Sequence, residues 1–161
     1  MLPNTVFRTV YRHFAQTVDE FLYYQVILAH AFSAAGGVQL AWDMTQGLWP
    51  LASPWLTKPA NLYRRTKEAL VVLVLPSKLP ETANEQDSDA VQTDSSTNQD
   101  RHTQHQVPPR YGFHDLCQTL FDSAKSRASK QHILDTLGID FLELEDVQEV
   151  LRCRVDFALD D

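Results

Sequence analysis

Residues 7–32 read FRTVYRHFAQTVDEFLYYQVILAHAF. Phe7, Val10, Tyr11, Phe14, Val18, Phe21, Leu22, Leu28 and Phe32 recur along this stretch at spacings of three, four and seven, with one slip. Side chains three and four apart share one face of an α-helix, so the pattern predicts a long amphipathic helix from about Thr5 to Phe32. Ser33 to Gly37 then breaks it, and the paired Gly36 and Gly37 are suited to a left-handed cap. A second helix is expected from about Val38 to Trp49, with Leu40, Ala41, Met44 and Leu48 along one side. Pro50 and Pro54 stop it, because proline lacks the N–H that a helix interior needs. Pro59 suits the first turn of a third helix running to about Leu75, and Pro76 ends it. The Val71–Leu75 tail also fits a strand, but the good helix formers of YRRTKEAL just before it favour helix.

The C-terminal part repeats the pattern in shorter pieces. Phe113, Leu116, Cys117, Leu120 and Phe121 form one stripe. Ser129 resembles an N-cap for KQHILDTL, which Gly138 closes. A last helix starts near Glu143 and carries Leu144, Val147, Val150, Leu151 and Val155, with Arg152 and Arg154 toward its end, as the helix dipole favours. The fold class predicted is all-α, with about six helices.

The 161 residues hold 14 Lys and Arg against 21 Asp and Glu, a formal charge of −7, which is unsuited to general nucleic-acid binding. Two cysteines cannot build a disulfide framework. The longest apolar run, Ala69 to Leu75, is seven residues, far short of the roughly 20 a membrane span needs. The opening MLPNTVFRTVYRHF has neither the basic start nor the apolar centre of a secretory signal, so a cytosolic setting is expected.

Charge divides the chain into three. Residues 1–80 carry seven basic and four acidic side chains, residues 81–106 one and six, and residues 107–161 six and eleven. The middle block contains no aromatic residue, and its apolar residues are Ala83, Ala90 and Val91. It cannot bury enough surface to offset the entropy of ordering its backbone. Helical blocks at 1–80 and 108–161, joined by a disordered acidic linker at 81–107, are the expected organisation.

No constellation for catalysis emerges, and none is expected for a metal or cofactor. His102 and His105 are spaced like a metal pair, but a structural zinc site needs four ligands and they lie in the linker. Cys117 falls on an apolar stripe, as a buried thiol would. Cys153 lies in an RCR triplet whose basic neighbours suit a more reactive thiol. Glu143 and Asp146 would share a helix face, where the dipole explains them without acid–base work. Tyr63-Arg64-Arg65-Thr66-Lys67 is the main basic cluster and reads either as a solvated face or as a contact for an acidic partner or headgroup, with Arg64 and Arg65 the partner-facing candidates. Trp42, Trp49 and Trp55 read as core between helices, or else as an interface.

Residues 35–75, AGGVQLAWDMTQGLWPLASPWLTKPANLYRRTKEALVVLVL, carry Gly36-Gly37, Gln39-Leu40, Asp43-Met44-Thr45, Leu48 and Pro50-Leu51, followed by Lys58-Pro59, Tyr63 and Lys67-Glu68-Ala69. This order and spacing resemble the C-terminal region of the RINT/TIP-type tethering subunits, namely the animal Rad-fifty-interacting protein, the yeast TIP subunit and the plant MAG-type homologue. The similarity extends upstream over Val18–Phe32 and downstream over Leu137-Gly138-Ile139 and Leu144–Arg152, about three quarters of the chain.

The resemblance implies a helical-rod subunit of the Dsl/NRZ tethering complex, on the cytosolic face of the endoplasmic reticulum. Its role would be retrograde Golgi-to-ER transport through contacts with SNARE proteins and other tether subunits, with no enzymatic activity and no small-molecule substrate. The family's members are several times longer, so the chain reads as their C-terminal end, without the helix that binds the Zeste-White-ten or Dsl partner. A helical adaptor in cell-cycle checkpoint signalling, and an enzyme using Cys153, are the alternative readings. In a cut rod, the helix of Phe7, Tyr11, Phe14 and Phe21 would lack a cover.

Removing residues 81–106 should leave the thermal unfolding midpoint within a few degrees of the intact chain; a larger fall would show that the acidic segment contributes to the fold.

Overall fold

The computed structural model describes residues 4–77 and 111–157. Within them lie six α-helices: α1 (Asn4–Phe21), α2 (Ala34–Trp42), α3 (Arg64–Leu73), α4 (Phe113–Phe121), α5 (Arg127–Leu137) and α6 (Leu144–Arg152). Among the described residues there is no strand beyond one isolated parallel bridge, Phe32 with Arg154. The fold is therefore all-α, as the periodicity predicts. The acidic linker lies outside the described residues.

The slip in the first stripe has a physical form. After Phe21, α1 widens into a π turn, Leu22–Ile27, and ends at Leu28, short of the predicted Phe32. The wide turn inserts a residue and rephases the helix, so that Tyr23 and Ile27 point into the core. The predicted stripe also divides in two. Tyr11, Ala15, Val18 and Leu22 pack against the core, whereas Val10, Phe14 and Phe21 are 61%, 51% and 58% exposed.

The glycine pair does not form a left-handed break. Ser33 caps α2 by accepting the Gly36 N–H at 3.0 Å, which places both glycines in the first helical turn with negative φ. Gly37 is required for a different reason: a Cβ there would overlap the Leu73 carbonyl oxygen and come within 2.9 Å of the carbonyl carbon. α2 can approach the end of α3 that closely only without a side chain at this position. Gln39 Nε2 donates to Asp43 Oδ1 at 2.8 Å, and a second π turn (Asp43–Leu48) then buries Met44. The segment passes on into a 3-10 turn, Trp49–Ala52, which accommodates Pro50 near its start rather than stopping at it.

Pro59 opens a separate 3-10 turn, Pro59–Leu62, and α3 begins only at Arg64. Ala69, Leu70, Val72 and Leu73 are buried, and α3 packs against α1, α2 and α6 together. Such a helix sits at the centre of the domain. The first turn of α5 is capped by Ser126, not Ser129, because the Ser126 hydroxyl accepts the Ser129 N–H at 3.2 Å. Gly138 closes α5, as predicted, and does so in the left-handed conformation, φ 72°. Glu143 and Asp146 form a reciprocal capping box on α6, which accounts for both carboxylates without catalysis. One core cluster runs from Ala15 through α3 to Leu151, so both helical blocks contribute to the same interior.

Gly37→Val should destabilise the chain by about 1–3 kcal/mol through overpacking against Leu73 rather than through backbone strain. A denaturant midpoint equal to that of the unmodified chain would show that α2 and α3 can part without cost.

Candidate functional site

Three buried charged residues tie the helices together through main-chain groups. Asp19, on α1, accepts the N–H groups of Arg65 and Thr66 at 3.1 and 2.9 Å and so caps α3 from another helix. Glu68 accepts the N–H groups of Phe141 and Leu142 at 2.8–3.0 Å, holding the loop ahead of α6. Arg154 is 2% exposed. It donates to the Leu73 and Leu75 carbonyls, lies over the Phe113 ring at 4.0 Å and pairs with Asp156. The helix-dipole reading placed Arg154 near the end of the last helix; α6 ends at Arg152, and the return of the chain past α3 accounts for the burial of Arg154.

Burial opposes ionisation of Asp156, but the bonds from Arg154 and Ser77 outweigh it and hold the carboxyl below its ordinary value. Tyr63 is buried and shares a hydrogen bond with the Tyr11 hydroxyl at 3.0 Å; burial, then that bond, raises its pKa.

The thiols are not activated. Burial pushes Cys117 up to about 11. Burial and then Glu149 raise Cys153 as well. The basic neighbours of Cys153 are committed elsewhere, Arg152 to the Phe121 ring at 4.9 Å and Arg154 to the interior. Among the described residues no group of three His, Cys, Asp or Glu could hold a metal ion. His102 and His105 lie outside them.

Part of the surface is apolar and aromatic. Trp42 is 62% and Trp55 43% exposed, so the expectation that the tryptophans form core fails for these two, while Trp49 is half-buried. Both exposed rings sit where the chain is diverted by π and 3-10 turns, away from the single face a continuous helix would bury. Trp55, Phe7, Tyr11 and Phe14 make a ladder of rings with centroids 4.5, 5.7 and 5.8 Å apart.

A basic and aromatic patch lies at the start of α3. The half-exposed Phe141 ring faces two guanidiniums, Arg64 at 5.5 Å and Arg65 at 5.3 Å. Arg65 also reaches Glu20 at 3.8 Å and the Tyr24 ring at 6.0 Å, so Arg64 is the freer of the two. Beside them is a cavity of about 310 Å³ lined by Asn61, Arg64, Lys67, Val71, Asp140 and Phe141, among others.

The residues of the 36–69 motif divide between framework and surface. Gly37, Met44, Tyr63, Glu68 and Ala69 are buried; Leu40, Leu48 and Pro59 are half-buried; Gln39, Asp43, Thr45, Pro50, Lys58 and Lys67 are exposed. No described helix is long and apolar enough to cross a membrane.

Residues 1–154 match the model of the RINT-1/TIP-1 family. A Drosophila melanogaster protein described as "RINT1-like protein" is 32% identical over 72 residues, covering 45% of this chain and 10% of that protein. The matched segment thus spans about a tenth of that relative's length. No solved structure gives a significant match.

Asp156→Asn tests the Arg154 node through pH. A carboxyl with a lowered folded pKa contributes stability that is present above its unfolded value, about 3.9, and lost as pH falls through the folded value. Acid unfolding followed downward from about pH 4 should therefore be less steep in Asp156→Asn than in the unmodified chain. Arg154→Met should cost roughly 2–4 kcal/mol at neutral pH, since it leaves the Leu73 and Leu75 carbonyls without their donor.

Proposed function

The chain belongs to the RINT-1/TIP-1 family, and on that premise we propose that it acts as a non-enzymatic tethering element. Its partners are SNARE proteins and other subunits of a Dsl/NRZ-type complex, in retrograde Golgi-to-ER transport at the cytosolic face of the endoplasmic reticulum. The observation that carries this reading is the patch at the start of α3. There an aromatic ring and two arginines lie on a helix whose first turn is capped by Asp19 and whose Glu68 anchors the Phe141 loop. Aromatic and arginine side chains on a rigid support are the common anchors of protein interfaces. Arg64 and Phe141 supply the contact, and Lys67 stands at the edge of the adjoining cavity.

The mechanism is geometric. The fixed helices present a surface of set shape, and binding needs no bond to be made or broken. Burial raises the pKa of both thiols, which disfavours the thiolate that the alternative enzyme reading requires of Cys153. The helical blocks at 1–80 and 108–161 act together as one platform, with the 81–107 segment as a linker between them.

Binding of the purified chain to the cytosolic regions of the ER-resident retrograde SNAREs and to purified tether subunits tests the reading. Arg64→Ala with Phe141→Ala should weaken the complex at least about tenfold while leaving helix content unchanged, because both side chains are exposed. No measurable binding by the unmodified chain would remove the tethering reading. Binding that the double variant does not weaken would move the contact to another face.

A further inference from the structure

Residues 1–18 and 44–67 contain no Asp or Glu, although the chain holds 21 of them. The same two segments carry Arg8, Arg12, Lys58, Arg64, Arg65 and Lys67. The fold brings them together. α1 and the 3-10 turn Trp49–Ala52 both pack on the turn Pro59–Leu62. The Phe7 ring lies 4.5 Å from that of Trp55, and Arg8 Nε donates to the Trp55 carbonyl at 3.3 Å. An acidic molecule thus has one end built from segments without a carboxylate.

Arg12 lies one turn beyond Arg8 on the same side of α1, and Lys58 follows Trp55 by three residues. All three cations are exposed, and among the described residues none of them has an ion pair. Beside them Leu51 is 66% and Trp55 43% exposed. Unpaired cations around apolar side chains are complementary to a surface that is negative outside and apolar beneath.

We propose that this end of the molecule docks directly on an anionic lipid bilayer. Arg8, Arg12 and Lys58 meet the headgroups, and Trp55 and Leu51 enter the interfacial layer. Tryptophan suits that depth, because its ring is apolar and its N–H is polar. Other anionic partners fit less well. The formal charge of −7 opposes a nucleic acid. An acidic peptide needs a groove, and the cavities of about 310 and 580 Å³ are lined by other residues. A bilayer needs none.

The contact is reversible and depends first on charge. Each Lys or Arg near an anionic surface strengthens binding roughly fivefold, so the three together give on the order of a hundredfold over a neutral bilayer.

Cosedimentation of the full chain with vesicles reads the result. The chain should pellet with phosphatidylcholine vesicles containing about 30% phosphatidylserine and stay in solution with phosphatidylcholine alone. Salt near 1 M, where charges are screened beyond about 3 Å, should release it. Arg12→Glu with Lys58→Glu should weaken binding at least about tenfold without changing helix content. Lys125→Glu with Arg127→Glu makes the same change in net charge among exposed residues of the C-terminal block and should leave binding within about twofold. Leu51→Ser should weaken it severalfold while the salt dependence persists.

No pelleting with the anionic vesicles, equal pelleting with neutral ones, or equal loss in the two charge-reversed variants would each overturn the proposal. Capture of soluble polyglutamate without capture of the vesicles would also overturn it, by assigning this end to an acidic protein. Arg64 and Phe141 are unchanged in every variant, so vesicle binding and the binding of a SNARE or tether subunit are separate readouts.

Discussion

A helix surrounded by other helices has no water for the unpaired groups at its ends. α3 meets that constraint with charged side chains drawn from opposite ends of the chain. Asp19 receives the first N–H groups, and Arg154 donates to the carbonyls of Leu73 and Leu75 at the other end. Each is a buried charge, costly alone, and each is compensated by main-chain partners that would otherwise be orphaned. The remaining helices are placed by this arrangement. α1 lies where Asp19 can reach the start of α3, and the segment after α6 lies where Arg154 can reach its end. Glu68 then reaches outward from α3 to hold the loop that leads into α6.

Because these ties run through backbone groups, they join parts of the chain distant in sequence without relying on matched side-chain pairs. Hydrophobic contact alone would allow α2 and α6 several alternative settings against an apolar α3, since apolar packing is not directional. The Gly37 contact with Leu73 and the Arg154 bonds to the same residue's carbonyl restrict that choice at one point. The surface inherits this rigidity. Arg64 and Phe141 are brought together by a cap and an anchor, neither of which belongs to the patch itself.

A scaffold role accords with how the chain uses its polar residues. The buried charges hold helix ends and a loop, and the Glu143 and Asp146 pair caps α6. Burial raises the pKa of both cysteines. Among the described residues, Asp19, Glu68 and Arg154 are spent on helix ends and a loop, while Phe14, Phe21, Trp42 and Trp55 are turned outward.

Much of this was legible in the residues. Periodicity and local end signals identified all six helices, the closure of α5 at Gly138 and the acidic start of α6, because each depends on neighbours within a few positions. The paired glycines, the 58–69 turn and their order carried the family likeness. Three things could not be read locally. The π turns at 22–27 and 43–48 appear in sequence only as slips in phase, since the extra residue is tolerated for the packing it permits. Gly37 was assigned to a break because glycine's freedom is a local property, whereas its closeness to Leu73 belongs to another helix. Arg154 looked like any basic residue at a helix end, and its burial follows from main-chain carbonyls some 80 residues away in sequence. The sequence by itself determined which segments are helical, because periodicity is local, but not all of their ends: the first helix stops short of Phe32, α3 begins at Arg64 rather than Pro59, and Ser126 rather than Ser129 caps α5. The tertiary structure alone decided which part of the α1 stripe is covered and which charged side chains are buried, because both depend on partners that only the folded chain brings near.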